Sequence, residues 1–206
     1  MLSRVTSGAV MGIDAYVVDV EVDVTGRGLP FFSTVGLPDT AVKESRDRVR
    51  AALKNNGYDF PLKQIVVNLA PAGVRKEGAA FDLPIAVGII ASEGLIDQAM
   101  HDGYMIVGEL SLDGRIKPVK GALPMAVKAA EGGMRGLILP VENAREAAVV
   151  EGIPVYGAAR NSPERPWTCP GSSGRAAATP RTSPRSRARS TSSARSRSRR
   201  PGGTTY

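Results

Sequence analysis

The chain has 206 residues, a formal net charge of +7, one cysteine and one histidine. A single cysteine excludes a disulfide framework and a cysteine-based metal site, so we expect no metal or cofactor of that kind. No apolar run is long enough for a membrane span or a signal peptide, which favours a cytoplasmic protein with no membrane partner.

The chain begins with three predicted strands. Val5–Val10 and Ala15–Val24 are rich in β-branched residues, and valines alternate with acidic residues in the second range. That alternation predicts a strand with one solvated face. Leu29–Val35 is a third predicted strand, joined to the second by a short turn, and such a meander favours an antiparallel or mixed sheet.

The next segment, Gly36–Gly57, has the features of a helix with both ends marked. Asp39 or Thr40 can serve as the N-cap, and Gly57 can serve as the C-cap. An apolar stripe along one face consists of Val42, Val49, Ala52 and Leu53. The pattern predicts a helix that packs one face on the core.

The same helix carries a cluster of basic residues, which are Arg46, Arg48, Arg50 and Lys54. Residues two apart on a helix point in different directions, and Glu44 and Asp47 lie between these cations. We therefore predict a solvated, salt-bridged face in preference to a nucleic-acid patch.

Val66–Asp82, VVNLAPAGVRKEGAAFD, predicts a strand, a loop rich in glycine and proline, and the start of a buried helix near Phe81. A side chain at Ala79 or Ala80 would lie exposed at the helix N-terminus, where N–H groups and the helix dipole stabilise a developing anion. Alanine has no nucleophilic atom. Asp82 is expected to cap this helix and compensate its dipole.

The remaining segments continue an α/β pattern. His101 lies in a loop-like context and is predicted to be a solvated surface side chain. Asp113-Gly114 predicts a hairpin with a type I′ turn. The later predicted elements are a helix over Gly121–Gly133, a strand over Leu137–Pro140, a helix over Glu142–Val150 and a strand over Ile153–Tyr156. The predicted fold class is α/β (α+β), with helices packed on a mixed sheet.

The loop before the buried helix resembles the loop that carries the catalytic serine in the Lon protease domain. Aligning residues 76–78, KEG, with the Lys, Asp and Gly of that family places Ala80 at the serine. Val107–Gly121, VGELSLDGRIKPVKG, is similar to the Lon segment that precedes the general base, and the lysine of that family falls on Leu123. Both members of the Ser-Lys dyad are therefore absent at these positions.

Arg75–Ala86, RKEGAAFDLPIA, is closer still to the YifB/ComM family of Mg-chelatase-like AAA+ ATPases, whose N-terminal domain is Lon-like. Gly36–Leu53, GLPDTAVKESRDRVRAAL, resembles a second signature of that family. The resemblance covers residues 2–157 and implies a ribosomal protein S5 domain 2-like fold. Within it, we interpret one set of charged residues as a candidate interaction loop that contacts a neighbouring subunit: Arg75, Lys76, Glu77 and Asp82.

The positive charge belongs to the last quarter of the chain. Residues 1–157 carry −3, whereas residues 158–206 carry +10 from eleven arginines and one acid, with no lysine. The second segment is rich in Ser, Pro, Thr and Gly, and we predict that it is disordered. Arginine without lysine is typical of a GC-rich gene read out of frame, so we expect frameshifted translation from about Ala158. The alternative is a genuine tail that binds nucleic acid through phosphates.

The resemblance implies that the Lon-like domain precedes an AAA+ ATPase that uses ATP and Mg²⁺, and that ComM-type members act on DNA as hexameric motors in natural transformation. The present sequence has no Gly-Lys dipeptide and hence no Walker A lysine. We therefore predict a truncated, non-enzymatic module for self-association, partner AAA+ subunits or DNA placement. The alternatives are an active Lon-like peptidase and a free-standing nucleic-acid-binding protein that acts through its tail.

Overall fold

The computed structural model describes residues 1–26, 28–159 and 162–163. The described strands are β1 (Leu2–Met11), β2 (Asp14–Thr25), β3 (Phe31–Val35), β4 (Gln64–Ala70), β5 (Tyr104–Ile106), β6 (Glu109–Leu110), β7 (Ile116–Lys117), β8 (Gly136–Pro140), β9 (Val155–Ala159) and β10 (Ser162–Pro163). The described helices are α1 (Thr40–Asn55), α2 (Asp82–Ser92), α3 (Gln98–His101), α4 (Ala122–Glu131) and α5 (Val141–Ala147).

The expected domain boundary at residue 157 falls inside β9, which continues to Ala159 and pairs with β10. The prediction of a disordered, frameshifted tail otherwise concerns residues outside the described part of the chain. None of the described helices is both long and apolar enough to cross a membrane.

Eight of the described strands form one mixed sheet in the order β10-β9-β8-β5-β1-β2-β4-β3. β2 runs antiparallel to both β1 and β4, whereas β3 is parallel to β4, and β5, β8 and β9 continue the sheet in parallel beyond β1. The predicted mixed α/β class is confirmed.

The meander expected for the first three strands is wrong at its last step. β4 lies between β2 and β3, so β3 forms the edge of the sheet. The reason is that α1 separates β3 from β4 along the chain, and a helical crossover of this kind joins two neighbouring parallel strands.

The face of the sheet that carries Val18, Val20 and Val22 packs against α1 and α2 in the first hydrophobic cluster. These three valines are fully buried, while Asp23 on the opposite face is exposed. The alternation in β2 therefore marks one buried face and one solvated face, as predicted. Burying one valine side chain stabilises the fold by about 1.5–3 kcal/mol relative to leaving it exposed.

A second hydrophobic cluster lies on the other face of the sheet, under α4 and α5. In β8, Leu137 and Leu139 belong to this cluster, whereas Ile138 between them packs against the first cluster. Because side chains alternate along a strand, helices on both faces require a strand that is apolar throughout, which explains the LILP run.

The predicted N-cap of α1 is confirmed, whereas the C-cap is Asn56 and Gly57 is the residue after it. The Asp39 carboxylate accepts the Val42 N–H at 2.8 Å, and Gly57 follows the helix with a φ of +79°. The four residues of the predicted stripe are buried.

The predicted hairpin is present between β6 and β7, but its turn is not type I′. Gly114 has a φ of +83°, whereas Leu37 is the only non-glycine residue with positive φ in the described chain. Asp113 therefore lacks the conformation that a type I′ turn requires. Its carboxylate instead accepts the N–H of Arg115 at 3.1 Å, an Asx-type contact that stabilises a longer turn.

The expectation for His101 is also wrong. The side chain is only 5% exposed, because α3 turns it into the protein instead of leaving it in a loop.

Candidate functional site

The loop between β4 and α2 is hydrogen-bonded to the connection between β3 and α1. The Lys76 N–H donates to the Leu37 carbonyl at 3.1 Å, and the Asp39 N–H donates to the Lys76 carbonyl at 3.0 Å. Gly36 lets the same connection pass close to the end of β4, because a Cβ at this position would lie 2.2 Å from the Leu69 carbonyl oxygen. The main chain of the candidate loop is thus fixed by a second loop.

Lys76 is fully buried, which corrects its interpretation as a surface charge that contacts a neighbouring subunit. Its Nζ donates hydrogen bonds to the carbonyl oxygens of Pro71 and Val74. Burial lowers the pKa of Lys76 below its ordinary value. The ammonium group therefore holds the loop together from inside, since it satisfies two carbonyls that the bend leaves without strand partners.

Asp39 connects α1 to the same loop. One carboxylate oxygen accepts the Val42 N–H that begins the helix, and the other accepts the Gly78 N–H at 3.0 Å. A single side chain thus acts as the N-cap of α1 and as a fixed point for the end of the loop.

Asp82, at the start of α2, is fully buried and paired with Arg48 of α1. Arg48 Nε lies 2.6 Å from Oδ2 and Nη2 lies 3.0 Å from Oδ1, and the Leu110 N–H also donates to Oδ2 at 3.2 Å. Arg48 Nη2 also donates a hydrogen bond to the Ala41 carbonyl oxygen at 2.8 Å. The carboxylate lies in the first turn of α2, but the prediction that it caps this helix is wrong, because it makes no capping hydrogen bond and is paired with an arginine.

The pair corrects two expectations. Arg48 does not belong to a solvated face, because the apolar stripe of α1 places it against α2. Asp82 is not available to a partner, because it has no exposed surface. Burial raises the pKa of the Asp82 carboxyl, although Arg48 opposes that rise, and the bond to Asp82 raises the pKa of Arg48.

Ala80, at the position aligned with the Lon serine, is half-buried and lies two residues before α2 begins. Its carbonyl accepts the Gly108 N–H at 2.9 Å, and the Gly108 carbonyl accepts the Leu83 N–H at 3.0 Å. The side chain is therefore only partly exposed, and the chain after β5 pairs with the main chain at this position.

Leu123, at the position aligned with the Lon base, lies in the first turn of α4 and is 40% exposed. With Ile13, Ala15 and Val127 it lines an open groove of about 340 Å³. α4 belongs to the second hydrophobic cluster, whereas α2 belongs to the first. Neither aligned position carries an acid, a base or a nucleophile.

Comparison with known proteins agrees with the sequence motifs. The family model described as subunit ChlI of Mg-chelatase matches residues 20–143. The competence protein ComM of Haemophilus influenzae is 45% identical over 155 residues, which is 75% of this chain and 30% of ComM. The uncharacterized protein YifB of Escherichia coli is 43% identical over 151 residues, which is 73% of this chain and 29% of YifB.

This chain belongs to the ChlI family of Mg-chelatase-like proteins. The matched region of this ChlI-family chain spans only about 30% of the length of ComM and YifB.

The Lon protease of Methanosarcina barkeri is a more distant relative of this ChlI-family chain. It is 27% identical over 108 residues, which is 52% of this chain and 13% of the protease. The similarity is consistent with the Lon-like fold class expected from the loop.

Two charged residues of the candidate loop of this ChlI-family protein do remain at the surface. Arg75 Nε lies 3.5 Å from Glu77 Oε1, and both side chains are about 70% exposed. The Arg75 carbonyl accepts a hydrogen bond from the Tyr16 hydroxyl at 3.0 Å. Partial burial, together with the nearby Glu77 carboxylate, raises the pKa of Tyr16. Contact of Arg75 and Glu77 with a partner stays a prediction.

Sequence reasoning missed the partners of Asp39 and Asp82. The second role of Asp39 has no local signal, because Gly78 lies 39 positions away. The sequence did contain a signal that Arg48 is partly buried. Arg48 follows Ala41 and Ser45 along a row of the helix that borders the apolar stripe. A charge on such a border is well placed to reach a buried acid on the neighbouring helix.

Proposed function

We propose that this chain acts as a non-catalytic, protease-like N-terminal module of a Mg-chelatase-like AAA+ ATPase, linked to DNA processing. The observation that carries the proposal is the use of the candidate loop as a structural junction. Lys76 is bound to loop carbonyls, Asp82 is bound to Arg48, and Ala80 occupies the aligned serine position. The loop thus offers stabilising contacts where a Lon protease needs a nucleophile, and Leu123 of α4 stands at the position aligned with the base.

ATP and Mg²⁺ do not fit this chain, because the sequence contains no Gly-Lys dipeptide to bind the phosphates. Within the described residues, no group of three or more His, Cys, Asp or Glu side chains could hold a metal ion. The proposal is that the module works by contact with its partners. The name of ComM, competence protein, supports a link to competence, and the resemblance in the two signatures implies the link to DNA processing.

Hydrolysis assays test the non-catalytic part of the proposal. We expect the purified chain to leave fluorescein-labelled casein intact, and to release no phosphate from ATP, under conditions in which a Lon protease does both. Hydrolysis that migrates with the chain in size exclusion, and that persists in independent preparations, would contradict the proposal.

Sedimentation tests the assembly part. The chain is mixed with a full-length relative such as ComM, and we expect a complex that sediments faster than either protein alone. The double substitution Arg75→Ala and Glu77→Ala should weaken this complex, because these are the charges of the loop that remain exposed. The matched control removes another exposed ion pair, Glu109 with Lys117, and should leave the complex unchanged. Absence of any complex at micromolar concentration would count against an assembly role.

The second candidate function is nucleic-acid binding through the arginine-rich segment, which the charge of +10 in residues 158–206 favours. Replacing the eleven arginines of that segment by glutamine, in the full-length chain, should abolish salt-sensitive binding to a single-stranded oligonucleotide if the segment is responsible. Binding that survives this replacement would instead belong to residues 1–157.

A further inference from the structure

β3 is an edge strand whose outer side has no partner among the described strands. The Phe31 N–H donates to the Lys63 carbonyl, so the odd-numbered residues of β3 direct their backbone groups towards β4. Because these groups alternate along a strand, the N–H and C=O groups of Phe32 and Thr34 point outwards. They form a short template to which one more strand can add.

Apolar side chains flank this edge on the face of the sheet opposite α1. Phe31 is 58% exposed, Val35 is 44% exposed, and Val66, the register partner of Ser33, is 38% exposed. Phe32 points the other way and packs against the first hydrophobic cluster. A strand added to the edge would therefore find an apolar surface on one of its two faces.

Cations flank the edge on the other face. Helical spacing places four basic residues on the flank of α1 opposite Arg48, and these are Lys43, Arg46, Arg50 and Lys54. Arg48 faces α2, and α1 also packs on β3, so the opposite flank borders the outer edge of β3. None of these four residues takes part in an ion pair within the described part of the chain. Arg50 lies with its guanidinium carbon 5.8 Å from the centre of the Phe60 ring.

We propose that the outer edge of β3 binds an extended peptide segment of a partner protein in which acidic and apolar residues alternate. Backbone hydrogen bonds to Phe32 and Thr34 would hold the segment. Its apolar side chains would cover Phe31 and Val35, while its acidic side chains would meet the cations of α1. The period of two in a strand is what separates the two kinds of side chain between the two faces.

Charge complementarity favours such a partner over a second copy of this chain. Pairing of β3 with itself about a two-fold axis would bring the cationic flank of α1 beside the same flank of the second copy. Like charges opposed in this way are unfavourable, whereas acidic side chains neutralise the flank. The proposal does not depend on the function proposed above.

Binding of labelled peptides to the full chain tests this proposal by fluorescence anisotropy. The probe alternates glutamate and valine over about ten residues, and the control peptide has the same composition in two blocks. The binding is measured in the full chain with the eleven arginines of residues 158–206 replaced by glutamine, so that the difference between the peptides reports the edge strand. We expect the alternating peptide to bind at least about tenfold more tightly than the block peptide.

Three test variants and one control variant separate the contributions. Thr34→Pro removes an outward N–H without removing a hydrogen bond to β4, and should abolish the preference for the alternating peptide. Phe31→Glu leaves the main chain intact, and should abolish the preference by placing a charge in the apolar surface. The double substitution Lys43→Gln and Arg46→Gln should lower the affinity for the alternating peptide several-fold. The matched control on other elements, Lys117→Gln with Lys128→Gln, should leave that affinity unchanged. Circular dichroism and melting curves establish that each variant is folded.

Several outcomes would overturn the proposal. Equal affinity for the two peptides would show that only charge is recognised. A preference that survives both Thr34→Pro and Phe31→Glu would place the peptide elsewhere. A concentration-dependent dimer that Thr34→Pro abolishes would assign the edge to a second copy. Another outcome is a chain that shows no preference between the peptides and yet binds an oligonucleotide. If Lys43→Gln with Arg46→Gln then abolished that binding, the flank would be assigned to nucleic acid.

Discussion

Arg48 and Asp82, 34 positions apart, join α1 to the first turn of α2 through two parallel hydrogen bonds of 2.6 and 3.0 Å. The carboxylate is fully buried and also accepts the Leu110 N–H, so one side chain fixes two helices and the end of β6. A paired acid at this helix N-terminus is part of the scaffold. The pair therefore explains how the loop keeps its shape without the chemistry of a protease.

Arg48→Met should destabilise the fold by about 3–5 kcal/mol at neutral pH, because it leaves the Asp82 carboxylate buried without its cation. Urea denaturation measures the loss. Adding Asp82→Asn to Arg48→Met should recover part of it, since the neutral amide does not require a cation. A double variant that is less stable than Arg48→Met would contradict this account.

The loss in Arg48→Met should also depend on pH. Burial holds the pKa of Asp82 above its ordinary value, and removal of Arg48 raises that pKa further. Between the unfolded and folded pKa values, the folded state retains a proton that the unfolded state has lost, so stability falls as pH rises. The deficit relative to wild type should therefore be smallest near about pH 4 and larger at about pH 7. Denaturation curves at both pH values measure the difference, and a deficit that grows on acidification would contradict the sign.

Local patterns were sufficient for the elements whose structure depends on their own sequence. The valines of β2 alternate, so one buried face followed directly from the period of a strand. Asp39 and Gly57 mark the ends of α1, because capping involves neighbouring residues only. The class of the fold followed from the order of such elements.

Features that depend on distant residues were not accessible in this way. The position of β3 at the edge is decided by which strand pairs with β4, and no local pattern encodes that choice. Lys76 is buried because carbonyls of its own loop surround its ammonium group, whereas lysine is ordinarily an exposed residue. The predicted type of the hairpin turn was wrong because Asp113 accepts a hydrogen bond from Arg115 instead of adopting positive φ.

Lys76→Met should destabilise the fold by about 1–3 kcal/mol, because the carbonyls of Pro71 and Val74 lose a donor while the aliphatic stem is retained. The neighbouring Arg75→Met, at an exposed side chain, should change stability by no more than about 0.5 kcal/mol. Chemical denaturation of both variants measures the contrast. Equal effects would show that burial of Lys76 has no energetic consequence.

The stability difference between wild type and Lys76→Met should grow as pH rises from about 7 towards about 10. Burial lowers the pKa of Lys76, so the folded state releases its proton at a lower pH than the unfolded state does. In that window the unfolded state binds more protons, and the stability of wild type rises with pH relative to a variant without the amine. A difference that shrinks over the same range would refute the lowered pKa.

Asp39→Ala should destabilise the fold by about 2 kcal/mol, since it removes the N-cap of α1 and the acceptor for the Gly78 N–H together. Release of the loop should also speed tryptic cleavage after Arg75, which mass spectrometry of the fragments detects. Asp47→Ala, at an exposed position on the same helix, is the matched control and should change neither property. A loss of stability without faster cleavage after Arg75 would show that the cap and the loop are not coupled.

His101→Leu should leave the fold as stable as wild type, or raise its stability by up to about 1 kcal/mol. The imidazole is 5% exposed, and both of its ring nitrogens lack a hydrogen-bond partner within the described part of the chain. An apolar side chain of similar size removes the desolvation penalty of those two nitrogens and keeps the packing of α3. The comparison is a melting curve of the two proteins at equal concentration, with His101→Ala as a control that creates a cavity and should melt at a lower temperature. If His101→Leu were as destabilising as His101→Ala, the nitrogens would have to make contacts in solution that stabilise the fold.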